Sequence, residues 1–182
     1  MDDYNDRVFR KITEDMDPFK KIASKVPGFS GYLERENRRE SDKLVRARLF
    51  DRFREMESRV SALQRDFISQ GELQYVDDLE ATAIKLRTFA DRVRTATRGY
   101  SGLFDAVKIN EAELSRLYTY DSAMFDLVDQ VEHAIDNVEA SVGTDGLPAA
   151  LRNLETTARQ CIETFDRREE VFIDAAGTSS SE

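Results

Sequence analysis

Apolar residues recur at alternating steps of three and four along most of this chain, the spacing of helices packed in a bundle. The first run is Leu49, Phe53, Met56, Val60, Leu63 and Phe67, closed by Gly71. The second is Val76, Leu79, Ala83, Leu86, Ala90 and Val93, with Thr97 and Tyr100 continuing its phase. The third is Leu114, Leu117, Asp121, Met124, Val128, Val131, Ile135, Val138 and Val142. The fourth is Leu147, Leu151, Leu154, Ala158, Cys161, Phe165, Arg168 and Phe172. No comparable stretch alternates with period two, so no sheet is expected. The pattern predicts an all-α protein built as an elongated antiparallel four-helix bundle.

The boundaries of these runs carry their own chemistry. Pro27-Gly28 breaks the chain before the first long helix, which would span roughly 57 Å if continuous from Leu33 to Gln70. Asn110 followed by Glu113 resembles a capping box, so the third helix starts there or runs through from nearer Leu103. Gly143-Thr144-Asp145-Gly146 reads as a turn, and Pro148 stands where a first-turn proline belongs. Between Leu33 and Leu44 no apolar stripe exists, which predicts a solvated helical stretch or one projecting beyond the bundle.

Residues 1–27 read as a separate amphipathic helical extension. Tyr4, Val8, Ile12 and Met16 lie four apart on one helical face, and after Asp17-Pro18 a second short face holds Phe19, Ile22, Ala23 and Val26. Phe9, Ile12, Met16, Phe19, Ile22, Phe29 and Tyr32 are the candidate interaction surface, with Lys20, Lys21 and Lys25 between the later ones. Residues 28–176 form the bundle, and the small polar residues from 177 to 182 read as a flexible tail.

Residues 71–93 align without gaps on 146–168. Leu79-Glu80-Ala81-Thr82-Ala83 matches Leu154-Glu155-Thr156-Thr157-Ala158, and Asp91-Arg92 matches Asp166-Arg167. Upstream, Gly28-Phe29-Ser30-Gly31 echoes Gly99-Tyr100-Ser101-Gly102, at a smaller offset that an insertion near the Gly143–Gly146 turn would explain. The agreement has two readings, a duplicated helical hairpin (residues 28–98 and 99–176) or the shared composition of amphipathic helices. Duplication is the favoured one.

Composition narrows the class. Across 182 residues there is one Cys and one His, which excludes an internal disulfide framework and most multi-histidine metal sites. The net charge of −9 is unevenly spread. Residues 19–60 hold twelve Lys/Arg against seven Asp/Glu, while residues 101–182 hold six against seventeen. Such asymmetry either steers a partner or is satisfied inside the protein. The acidic total and the lack of interleaved stacking aromatics argue against nucleic acid. The first residues, Met1-Asp2-Asp3-Tyr4-Asn5-Asp6, have no apolar core of a secretory signal, no segment is long and apolar enough to span a bilayer, and a lone Cys fits a reducing compartment, so a cytoplasmic location is expected.

Few residues of the chain fall into patterns that carry catalytic chemistry. Gly28-Phe29-Ser30-Gly31-Tyr32 is half of a nucleophile elbow, but its fifth position is Tyr and no strand precedes it. Asp129, His133 and Asp136 share one helical face, which reads as a solvated acidic face rather than a metal site because the neighbouring seam positions are apolar. Cys161 falls on the seam as a small buried thiol. No catalytic, cofactor-binding or metal-binding residue is assigned. Two charges do fall on the seam, Asp121 and Arg168. Helices three and four pivot near residue 145, which sets these two level, and pairing is expected because a buried unpaired charge costs several kcal/mol.

Three segments carry a resemblance: Pro27-Gly28-Phe29-Ser30-Gly31-Tyr32 with the charged run to Lys43, Gly99-Tyr100-Ser101-Gly102-Leu103-Phe104-Asp105-Ala106-Val107-Lys108, and Phe165-Asp166-Arg167-Arg168-Glu169-Glu170. Together they resemble an uncharacterised family of bacterial all-helical proteins with no assigned activity. The resemblance implies a bacterial cytoplasmic origin and adds no catalytic residue. The expectation is therefore a non-enzymatic protein-interaction or scaffold bundle without cofactor, in which a protein partner or self-association is central and no small-molecule substrate is inferred. The alternative is a peripheral membrane protein that lays its N-terminal segment on a lipid surface.

Overall fold

The computed structural model describes residues 17–32, 35–96 and 111–178. Among them are five α-helices and no strand. Helix α1 is Asp17–Lys25, α2 is Arg35–Gln70, α3 is Val76–Thr95, α4 is Glu111–Ser141 and α5 is Leu147–Thr178. A 3-10 turn at Leu73–Tyr75 leads into α3. The architecture is an all-α bundle of two helical hairpins, α2–α3 and α4–α5, with α1 laid along α4.

The ends of the helices follow from their residues. After Gln70 the chain enters a left-handed Gly71 (φ 80°). The N–H of Glu72 then donates to the carbonyl of Phe67 at 2.9 Å, and that of Gly71 to Ile68 at 3.2 Å. This paired closure satisfies two carbonyls that the end of α2 would leave open. At the other turn Ser141 ends α4, Gly143 is left-handed (φ 75°), and the Gly146 carbonyl accepts the N–H groups of Ala149 and Ala150 at 3.1 Å. Pro148 sits in the first turn of α5, where its missing N–H leaves no bond unmade.

Each hairpin is antiparallel within itself. Across the hairpins, α2 lies beside α4 and α3 beside α5. Their ion pairs set the directions. Arg52 reaches Glu132 at 2.9 Å and, seven residues further along both helices, Arg59 reaches Glu139 at 2.9 Å. Lys85 meets Glu155 at 3.0 Å and Arg92 meets Asp166 at 2.5 Å. Pairs that advance together along both helices mean that α2 and α4 run the same way, as do α3 and α5. The centre is packed by Phe53, Phe89 and Phe165, with ring centroids 4.3 Å and 5.7 Å apart along that series. Such offset and edge contacts add to the area they bury.

The N-terminal part departs from the reading of residues 1–27 as an extension. Ile22 and Val26 belong to the same core as the bundle seam. Val26 begins a turn with Pro27 and a left-handed Gly28 (φ 82°), closed by the N–H of Phe29 donating to the Val26 carbonyl at 3.2 Å. Proline then a positive-φ glycine is the signature of a type II turn. The chain doubles back through Phe29 to Tyr32, both buried. The stretch after Leu33 is likewise no free projection. It is the first part of α2, with Ser41 and Asp42 buried. Helix α5 extends through Gly177 and Thr178, the first two residues read as tail, while 179–182 lie outside the described residues. Asn110 and the Gly99–Lys108 segment also lie outside them.

Gly31 shows how tight the doubled-back strap is. It is left-handed (φ 90°), and a Cβ there would stand 2.7 Å from Tyr118 Oη and 3.1 Å from Phe19 Cε2. Gly71 has a similar φ with nothing within 4 Å. Gly71→Ala should therefore cost only the left-handed conformation, roughly 1–2 kcal/mol. Gly31→Ala should cost that plus a clash of about 1–3 kcal/mol. Urea unfolding of both variants checks this, and equal losses would contradict it.

Candidate functional site

Five side chains from four parts of the chain meet inside the strap end of the bundle: Tyr32, Asp42, Arg46, Asp121 and Arg168. All are buried, Arg168 and Asp121 completely. Helix α5 brings Arg168 to a seam position that its neighbours Cys161 and Phe165 fill with apolar atoms. Its Nε donates to Asp121 Oδ1 of α4 at 2.6 Å, and its Nη2 donates to Asp42 Oδ1 of α2 at 2.6 Å. Arg46, one turn on from Asp42, donates from Nε to Asp42 Oδ2 at 2.7 Å. The Tyr32 hydroxyl donates to Asp121 Oδ2 at 2.5 Å. Two carboxylates and two guanidiniums thus alternate and balance in charge, with a phenol at one end. Charge-assisted bonds of this kind are short and strong, and burial without them would be prohibitive.

The strap is anchored to the same network through its backbone. The Tyr118 hydroxyl accepts the N–H of Tyr32 at 2.7 Å, and Arg38 Nε donates to the Tyr32 carbonyl at 2.6 Å. Phe19, Phe29, Tyr32 and Tyr118 form one aromatic cluster around it, with Tyr32 and Tyr118 centroids 5.1 Å apart.

Burial sets the protonation of these groups. It pushes the Tyr32 phenol well above its ordinary range, helped by the Asp121 carboxylate. It pushes Tyr118 up to about 12. The Asp121 carboxyl is also raised by burial, against the opposing pull of Arg168. Burial works against the Arg168 charge, but Asp121 and Asp42 outweigh it and hold the guanidinium charged well above its ordinary value. Every oxygen of the two carboxylates is engaged by a donor.

Asp121 and Arg168, singled out on the seam, are thus in direct contact, and the structure adds Asp42, Arg46 and Tyr32 to them. Of the proposed interaction surface, Phe9, Ile12 and Met16 lie outside the described residues. Ile22, Phe29 and Tyr32 are buried in the chain's own core and Phe19 is packed against it, so these four are not a free surface. The face of Asp129, His133 and Asp136 does not converge. Asp129 takes Lys25 at 2.9 Å, Asp136 takes Arg59 at 2.6 Å, and His133 is exposed. Among the described residues no group of His, Cys, Asp and Glu side chains is placed to hold a metal ion. Ser30 lies in the strap with its Oγ 3.3 Å from that of Ser41. Cys161 donates its thiol to the Thr157 carbonyl at 3.3 Å, and burial pushes it up to about 12. A thiol so protonated is a poor nucleophile. No protein-family model matches the chain, and no curated protein or solved structure matches it either.

Removing Asp121 strands part of a buried guanidinium. Asp121→Ala should cost roughly 3–5 kcal/mol, and adding Arg168→Met should recover much of that loss. A double-mutant cycle by urea unfolding reads the coupling, and additive losses would reject it.

The raised phenols and thiol give an alkaline signature. Each stays neutral in the fold where the unfolded chain ionises, so its contribution is fully present below the unfolded value and lost as pH rises toward the folded one. For Tyr118 that window runs from about 10 to about 12, and for Cys161 from about 9 to about 12. Thermal midpoints should fall across this range, and Tyr118→Phe should flatten the slope. An unchanged slope in that variant would place the alkaline loss elsewhere.

Proposed function

We propose that this chain is a non-enzymatic protein-interaction or scaffold bundle, with self-association one form that activity takes. The observation that carries the reading is where apolar side chains are left exposed. Ile68 (50%), Leu73 (65%), Ile84 (49%) and Val142 (37%) are the large exposed apolar residues among those described. Ile68, Leu73 and Val142 stand at the two turns, and Ile84 two helical turns into α3. Because α2 and α4 run the same way, both turns lie at one end of the rod. Helix α2 alone is about 54 Å long at 1.5 Å per residue, so this end is far from the charged network. A stiff rod with its inter-helix charges paired and its exposed apolar groups at one end suits a protein contact.

The membrane alternative is less well supported, because Ile22, Phe29 and Tyr32 are buried within the chain. Among the described residues no helix is long and apolar enough to cross a membrane. Duplication of a hairpin is a further part of this proposal. Leu79, Ala83 and Leu86 and their counterparts Leu154, Ala158 and Cys161 are all buried, and Thr82 and Thr157 each donate to a carbonyl four residues back at 2.9 Å. Shared amphipathic composition produces some of the same agreement.

Light scattering with and without anionic liposomes tests the interaction reading. The full-length chain should show a molar mass above one chain that rises with concentration, and it should not sediment with liposomes. Ile68→Asp combined with Leu73→Asp should return it to a single chain with its thermal midpoint little changed. A chain that stays single at every concentration and sediments with liposomes would replace this proposal with the membrane alternative.

A further inference from the structure

Helix α1 is a short amphipathic helix packed along α4, with Ile22 in the core of the bundle. It runs along α4 in the same direction: Phe19 meets Tyr118 with centroids 6.1 Å apart, Lys21 pairs with Asp126, and Lys25 pairs with Asp129 at 2.9 Å. Its inward side is Phe19 and Ile22, continued by Val26 just past its end. Nine residues are too few to stay helical alone in water, so the surface of the bundle holds it in shape. We propose that this face of α4 is a docking site for a basic amphipathic helix of a partner protein, and that α1 occupies it as an internal competitor. The proposal rests on the protein-interaction reading above and names the chemistry of the partner.

The charge pattern specifies that chemistry. Lysines four apart on α1 meet aspartates three apart on α4, at the rim of an apolar seat. A competing helix needs apolar residues at i, i+3 and i+7 and a Lys or Arg at i+2 and i+6, as Phe19, Ile22, Val26, Lys21 and Lys25 provide. This is the helix-in-groove mode of recognition. Both ion pairs are part exposed, so salt and a competing cation both reach them.

The surface beside the seat is open. Two open clefts border α1. One, of about 610 Å³, is lined by Lys20, Lys21, Ser24, Ser122 and Asp126. The other, of about 210 Å³, includes Lys25, Phe125, Val128 and Asp129. A longer or bulkier helix would cover surface that α1 leaves open. Finally, among the described side chains, those of α1 make no hydrogen bond to the five of the buried network, which α1 meets through the contacts of Phe19 with Phe29 and Tyr118. The Pro27-Gly28 turn separates it from Phe29 and Tyr32, and it is Tyr32 that bonds Asp121 and Tyr118.

The test uses the full-length chain carrying Lys21→Glu and Lys25→Glu, which turns α1 against Asp126 and Asp129 and leaves its apolar side chains in place. The probe is a fluorescein-labelled synthetic peptide with the sequence of residues 17–28, read by fluorescence anisotropy at low salt. The variant should bind it at least ~10-fold more tightly than the unaltered chain, because apparent affinity scales with the fraction of open seats. Added salt should weaken that binding. Adding Asp126→Lys and Asp129→Lys should restore the α1 pairing with reversed sign and abolish peptide binding. A cooperative melt by circular dichroism checks the fold, and if it is lost, Lys21→Ala with Lys25→Ala carries the same test. No peptide binding to a folded open variant, or equal binding to both chains, overturns the inference. Labelled full-length chain binding as tightly as the peptide makes the occupant a second copy and overturns the assignment to a partner. If the peptide fails while Ile68 and Leu73 still support self-association, this inference falls alone.

Discussion

The guanidinium of Arg168 is wholly buried, and the bundle accommodates it only because carboxylates from two other helices come to it. Burying an ion costs several kcal/mol, and the cost is offset only when geometry and bonding are nearly complete. Here Asp121 of α4 and Asp42 of α2 meet Arg168 of α5 at 2.6 Å each. A slip of any of these helices by one turn, about 5.4 Å, would break at least one bond and leave a charge in an apolar seam. The apolar heptads tolerate such a slip far better, since a shift of one turn replaces one aliphatic side chain by another. The network therefore acts mainly on register, and its contribution to total stability is smaller than its bond count implies.

From this constraint the strap end follows. Asp121 has a second oxygen to satisfy, and Tyr32 supplies the donor. Holding Tyr32 there brings its backbone onto Tyr118, which leaves no room for a side chain at Gly31. Phe29 then fills the space between Phe19 and Tyr118. The N-terminal segment is in this way tied to the bundle at two separate levels, a strap fixed by buried polar bonds and a helix α1 fixed by apolar contact and rim charges. Phe19 joins the two levels, touching both Phe29 and Tyr118.

The four long helices were legible because heptad spacing survives in a single sequence. Asp121 and Arg168 were legible for the same reason: a charge in an otherwise apolar seam stands out, and antiparallel counting from the turn sets the two level. Asp42 and Arg46 were missed although the signal was present. Stepping back from Leu49 by three and then four lands on Arg46 and Asp42. Successive charges erased the apolar stripe there, and the stretch read as solvated. Tyr32 and Tyr118 are 86 residues apart and carry no pattern that joins them. The amphipathic pattern of α1 and the strap shows that a face is buried, but not whether this chain, a partner or a lipid surface covers it; the chain itself supplies the cover for Ile22, Phe29 and Tyr32.

Charge asymmetry and the seam charges answer one structural problem together. Two hairpins of similar pattern can pack on each other or each on a copy of itself, and apolar stripes discriminate poorly between these arrangements. Hairpin α2–α3 and helix α1 supply the bases, Lys21, Lys25, Arg52, Arg59, Lys85 and Arg92, and hairpin α4–α5 supplies the acids that receive them. Each such pair near the surface contributes little. Their common sign means that a hairpin packed on a copy of itself would bring acid onto acid or base onto base, so their effect lies in what they exclude. They leave one ambiguity, because belts of like pairs repeated along the helices tolerate a shift by a heptad. Arg168 removes it. The matching position 75 residues earlier is the buried, apolar Val93. The charge therefore occurs in one hairpin only, at one level, and finds its two carboxylates in a single register.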